Sequence, residues 1–197
     1  MKLMFSVHAG EYLTGSHIEK RFRNVHLWVP AKDTGIDLLV SDRANRQTVS
    51  LQVKLSKDYL VTDMQRRGPE FQQKLRACGW WTPNKEKLSR SPADYWVLVL
   101  LGFANMSVDY VVIPPKELAR RLPDIHPEQR EQKIWQVYVW VTKTGGCWET
   151  RHLSKSDEFR VIRDEFTDPH RDFREYLNVW GRVECLDDGS AGGTKLV

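Results

Sequence analysis

The sequence predicts a mixed α/β fold that opens with a helix and a three-stranded meander. Three observations carry that expectation. Apolar residues at helical spacing lead the chain, two strands with polar punctuation follow around a short turn, and an uninterrupted apolar run of strand length comes after a second helix. The expected order is helix, three strands, helix, two strands, helix, two strands, helix, which is not a strict βαβ alternation.

The segment from Gly10 to Asn24 reads as a helix, because Leu13, His17, Ile18, Arg21 and Phe22 follow its period. Glu11 lies in the first turn, where the helix dipole favours a carboxylate. Val25–Val29 reads as a strand closed by Pro30. Ile36–Ser41 and Thr48–Ser56 form the next two strands around Asp42-Arg43-Ala44-Asn45-Arg46-Gln47. A helix is expected from Glu70 to Cys78, broken at Gly79-Trp80-Trp81. Asp94–Leu101 reads as a strand buried on both faces. Val108–Ile113 is a further strand, and Pro115 suits the first turn of a helix over Lys116–Arg121. Trp135–Thr142 and Cys147–Arg151 read as a hairpin across Thr144-Gly145-Gly146, with a last helix over Arg171–Trp180.

Composition narrows the function classes. With 197 residues, 41% hydrophobic and 28% charged, the chain can build one core with a small extension. No apolar run reaches the roughly 20 residues of a membrane span, and the N-terminus turns polar too soon for a signal peptide. Cys78, Cys147 and Cys185 are odd in number and form no CxxC pair, which argues against a zinc knuckle or disulfide framework. The expected location is cytoplasmic. Residues 1–90 carry 16 Lys+Arg against 9 Asp+Glu, and residues 91–197 carry 14 against 17. The basic half suits a polyanion such as nucleic acid, although a solvated surface explains an excess of this size equally well. The acidic half suggests contact with a protein partner or a second copy.

The strands of the basic half hold the candidate site. A hairpin turning at Ala44–Arg46 sets Asp37 opposite a residue between Leu51 and Lys54. Gln52 and Lys54 are two apart, so both point to one face, about 7 Å from each other. A carboxylate, an amide oxygen and a backbone carbonyl such as that of Val53 can hold Mg²⁺ alongside a substrate phosphate. Mn²⁺ would substitute. Lys54 would stabilise developing negative charge, and Glu11 could reach the same end of the sheet, acting through water.

This combination of a helix-borne Glu11, Gly35-Ile36-Asp37-Leu38-Leu39-Val40 and Leu51-Gln52-Val53-Lys54 resembles the PD-(D/E)XK nuclease superfamily. The likeness is to the variant with Gln in place of the second acidic residue, found among restriction-endonuclease-like and Mrr-like enzymes. It implies an α-β-β-β-α-β core with a mixed sheet over residues 1–115. A C-terminal extension with a β-hairpin and helix over 116–186 and a flexible tail over 187–197 would follow. It also implies metal-dependent hydrolysis of phosphodiester bonds in DNA, in defence or repair. Asp37 would be the metal carboxylate, Gln52 the second ligand, Lys54 the catalytic lysine and Glu11 the helix acid. Thr34-Gly35 stands where many members place Pro, and Gln52 lacks a charge, so the alternative is an inactive nucleic-acid-binding module of the same fold.

Lys57, Arg66 and Arg67 follow the catalytic strand and are candidates for phosphate contacts, against an ordinary charged loop. Trp80-Trp81 could stack on unpaired bases, although packing is the commoner role. His8, His17 and His26 lie near the site in sequence, and single histidines are more often structural than catalytic.

Overall fold

The computed structural model describes residues 8–32, 34–56, 67–102 and 107–189. The described residues form helix α1 (Ala9–Arg21), strands β1 (Val25–Trp28), β2 (Leu38–Asp42) and β3 (Thr48–Ser56), and helix α2 (Pro69–Lys74). Next come β4 (Leu75–Trp81), α3 (Lys85–Ser89), β5 (Tyr95–Gly102), β6 (Ser107–Ile113) and α4 (Pro115–Ile125). The chain continues with β7 (Val137–Thr142), β8 (Cys147–Glu149), α5 (Lys155–Ile162) and α6 (Gly181–Asp187). Short 3₁₀ turns occupy Pro127–Gln129 and Arg174–Tyr176.

The fold is α/β with two sheets. The larger is mixed, in the order β1-β2-β3-β5-β6, with β3 and β5 parallel and the other neighbours antiparallel. The smaller is antiparallel, in the order β4-β7-β8. Strand β5 shows why they stack. Its Val97 and Val99 face Ile18 of α1, Phe22 just after it, and Val183 and Leu186 of α6. Its Trp96, Leu98 and Leu100 face Ala77 and Trp81 of β4 and Val137, Val139 and Val141 of β7. An apolar strand therefore feeds two cores through its period of two. The outer face of the smaller sheet is covered by Phe71 and by Val161 and Ile162 of α5.

The expectation for residues 70–78 fails in an instructive way. Only Pro69–Lys74 is helical, and the chain then turns into a strand that includes the Gly79-Trp80-Trp81 segment. A bulge between Leu75 and Ala77 lets Leu75 and Cys78 face one core while Ala77 and Trp81 face the other. Pairing with β7, far away in sequence, outweighs local propensity.

The helix expected over Arg171–Trp180 is also absent. Arg121 Nη1 takes the carbonyls of Pro169 (2.9 Å) and Asp172 (2.7 Å), and Phe173 N–H donates to Cys147 O at 2.9 Å. Those backbone groups are spent on tertiary partners and cannot close helical turns. The terminal helix instead begins at Gly181. Helices α3 and α5 were not foreseen, although Asn84 and Ser154 accept from Lys87 N and Asp157 N as ordinary N-caps.

The smaller sheet takes β4 from before residue 115 and β7 and β8 from after it, and α6 returns to the larger sheet. A tie between the sheets is the pair Arg76–Asp109, bidentate at 2.9 and 2.7 Å, with the Asp109 side chain 5% exposed. Residues 190–197 of the expected tail lie outside the described residues. No helix among the described residues is long and apolar enough to cross a membrane.

Candidate active site

Strands β2 and β3 pair with Leu38 opposite Leu51 and Ser41 opposite Thr48, so the hairpin turns between Ala44 and Asn45. Asp42 Oδ1 closes the turn by accepting from Arg46 N (2.6 Å) and Gln47 N (2.9 Å), and Asn45 takes a positive φ of 55°. At the open end, Asp37 N–H donates to Leu51 O at 2.8 Å, and its carboxylate Oδ2 accepts from Val53 N–H at 2.6 Å. The side chain thus replaces a ladder carbonyl where β2 has left the sheet. That charge-assisted bond fixes the carboxylate at the strand end.

Gly35 makes the approach possible. Its φ of +84° suits glycine, and an added Cβ would lie 3.3 Å from Pro92 Cδ and 3.8 Å from Gln52 Nε2. On β3, Val53 is buried with its side chain in the core under α1, whereas Gln52 and Lys54 are half-buried on the face turned toward the smaller sheet. Lys54 Nζ lies 4.0 Å from Asp37 Oδ2 and 5.8 Å from the Trp96 ring centroid. The backbone of Lys54 is fixed by Trp81 Nε1, which donates to its carbonyl at 2.9 Å.

Glu11 arrives from the other side. Gly10 seats the start of α1 directly on β3, where a Cβ would stand 2.9 Å from Leu55 Cβ and 3.2 Å from Val53 Cγ1. Glu11 Oε2 accepts from His8 N–H at 3.2 Å.

These elements enclose a cleft of about 840 Å³ that is lined by Glu11, Asp37, Gln52, Val53 and Lys54. Its opposite wall is Trp80, Trp81, Thr82, Pro83 and Asn84, with Lys87 and Trp96 completing the lining. All four residues that the sequence assigned to catalysis therefore meet in one place. The donor set suits a hard divalent cation: carboxylates of Glu11 and Asp37 with the amide oxygen of Gln52. Asp37 Oδ1, Glu11 Oε1 and the Gln52 amide make no hydrogen bond among the described residues, so they are open to a ligand.

The other assignments divide. Trp81 is buried and serves packing, while Trp80 is 40% exposed at the cleft. His8 reaches the cleft. His17 does not: it stacks on Trp180 (5.3 Å) beside Tyr110 (4.8 Å), and burial, aided by Arg21, lowers its pKa. His26 packs edge-on against Trp28. Arg67 is ion-paired with Glu158, lies 5.0 Å from the Trp140 ring centroid and does not line the cleft. Lys57 and Arg66 lie outside the described residues.

The wall residues Thr82, Pro83 and Asn84 and the contribution of Lys87 were not foreseen, because they depend on β4 belonging to a second sheet. Also unforeseen was a group formed by His126, Glu128 and His152; its H-x-E spacing was the available signal. Comparison with protein-family models, curated proteins and solved structures finds no match.

Proposed function

We propose that the chain is a metal-dependent nuclease that hydrolyses phosphodiester bonds in DNA, with Mg²⁺ or Mn²⁺ as its cofactor. The observation that carries this reading is the convergence of Glu11, Asp37, Gln52 and Lys54 on one cleft. Asp37, Gln52 and Glu11 would hold the cation, which when bound supplies charge neutralisation at the phosphoryl group and activation of water. Lys54 would sit against the phosphodiester oxygens and stabilise charge that develops during in-line attack. Its reach is limited by the Asp37 carboxylate, which holds the ammonium at the strand end. Lys87 adds positive charge on the opposite wall, beside the partly exposed Trp80.

Cleavage of supercoiled plasmid and of single-stranded DNA, with Mg²⁺ or Mn²⁺, tests the proposal. The wild type should cut, and Asp37→Ala and Lys54→Ala should each lose at least about 10²-fold in rate, the scale on which a charge-stabilising group acts. Cleavage that survives both substitutions removes the site. Salt-sensitive binding without any cleavage would instead favour a binding module, a reading that the uncharged Gln52 keeps in view.

A further inference from the structure

A second group of ligating side chains lies apart from the cleft. His126 links α4 to the Pro127–Gln129 turn, Glu128 belongs to that turn, and His152 follows β8. Their ligand atoms all lie within 4.8 Å of one another, and none of the three lines the cleft.

His126 is the telling member. It is fully buried, yet neither ring nitrogen has a hydrogen-bond partner. Its Nε2 stands 3.2 Å from Glu149 Oε1, within ion-pair distance but poorly aligned for a hydrogen bond. Glu149 is itself fully buried, and its Oε2 accepts from Arg171 Nη1 at 2.6 Å. A buried carboxylate facing Nε2 favours the tautomer protonated there, which leaves the Nδ1 lone pair free. Nδ1 faces Glu128 Oε1 at 3.5 Å, and His152 Nδ1 lies 3.0 Å from the same oxygen.

We propose that His126, Glu128 and His152 bind a divalent transition-metal cation of the zinc type. Metal–ligand bonds of about 2.0 Å in tetrahedral geometry set donor atoms about 3.3 Å apart. Two of the three edges already have nearly that length. The third closes by a small movement of His152, which is half-exposed. Two imidazoles and a carboxylate suit zinc and its neighbours, whereas magnesium and calcium prefer oxygen donors alone. Glu149 acts behind His126 as the carboxylate that orients a metal-bound histidine. Glu128 and His152 are each about half exposed, so the cation can enter from solvent and keep a position for water.

The cation would clip the Pro127–Gln129 turn to the loop after β8. That turn is also tied to the start of α3 and to the residue before β7: the Gln129 carbonyl accepts from Lys85 Nζ, and the Gln129 side chain accepts from Gln136 N at 2.8 Å.

The test is a calorimetric titration of chelator-stripped full-length protein with ZnCl₂, in excess Mg²⁺ to mask the cleft. Thermal unfolding is measured with and without zinc. The wild type should bind one zinc per chain and gain in Tm. Glu128→Gln and His152→Ala, both at exposed positions, should each weaken binding at least tenfold and lose the Tm gain, while Asp37→Ala keeps both. His126→Gln tests the buried ligand but risks misfolding, so the exposed variants decide. No saturable zinc binding in the wild type, binding unchanged in Glu128→Gln and His152→Ala, or binding lost in Asp37→Ala would overturn the proposal.

Discussion

Gly10→Ala separates the position of Glu11 from its charge. The added Cβ would lie 2.9 Å from Leu55 Cβ and 3.2 Å from Val53 Cγ1. Comfortable carbon contacts need about 3.5–4.0 Å, so the start of α1 must lift from β3 by up to about 1 Å. Leu55 Cβ sits next to the backbone and cannot swing away as a side-chain tip can. Overpacking of this kind costs about 1–3 kcal/mol, and a displacement of about 1 Å in a catalytic group can cost about 10²-fold in rate. Gly15→Ala is the matched control on the same helix. Its Cβ would also meet an atom at 2.9 Å, but that atom is Leu27 Cδ2, the free end of a flexible side chain. Plasmid cleavage and Mn²⁺ affinity of the two variants are compared with those of the wild type. Gly10→Ala should lose about two orders of magnitude in cleavage and bind Mn²⁺ more weakly, while Gly15→Ala stays near wild type in both. If Gly10→Ala matches the wild type in both assays, contact between α1 and β3 does not position Glu11, and its role in the site fails.

Three further predictions rest on other parts of the molecule. Gln52→Glu adds a carboxylate beside Asp37 in the cleft, so Mn²⁺ affinity measured by calorimetry should rise at least several-fold. Arg76→Ala should destabilise the fold by about 3 kcal/mol in urea unfolding, because it leaves the buried Asp109 charge short of its main partner. The figure sits at the low end of such cases because Asn178 Nδ2 still donates to Asp109 at 3.0 Å. Glu117 is held down to about 2, from an ordinary value of 4.5, by the hydrogen bonds from Arg120 and Arg121. Its depressed pKa contributes stability that is present above pH 4.5 and lost as pH falls toward 2. The stability gap between wild type and Glu117→Gln should therefore narrow across that range in acid unfolding curves.

The part of the site that was legible in the sequence is local in the chain. Asp37, Gln52 and Lys54 lie on one hairpin, so its turn residues and the period of two place them together. Glu11 was legible as a helix residue, but its approach to β3 depends on Gly10 having no side chain. The strand behind the far wall was not legible, because Leu75–Cys78 reads as the end of a helix and Gly79-Trp80-Trp81 as its break until the segment pairs with β7 some 60 residues later. The last helix was misplaced for a similar reason: Arg121, on α4, captures the carbonyls of Pro169 and Asp172. His126, Glu128 and His152 come from two loops, and no local period announces that they meet.

The most direct test of the cleft is Mn²⁺ binding followed by electron paramagnetic resonance. Wild type is compared with the double variant Glu11→Gln/Asp37→Asn, and Glu128→Gln, which lacks a ligand of the histidine group, separates any share of the Mn²⁺ signal from that group. Both substitutions of the double variant keep side-chain shape and remove only charge. The account predicts one saturable Mn²⁺ in the wild type that the double variant no longer binds, with its thermal unfolding still cooperative. Equal Mn²⁺ binding by the two proteins, or none by the wild type, would contradict it.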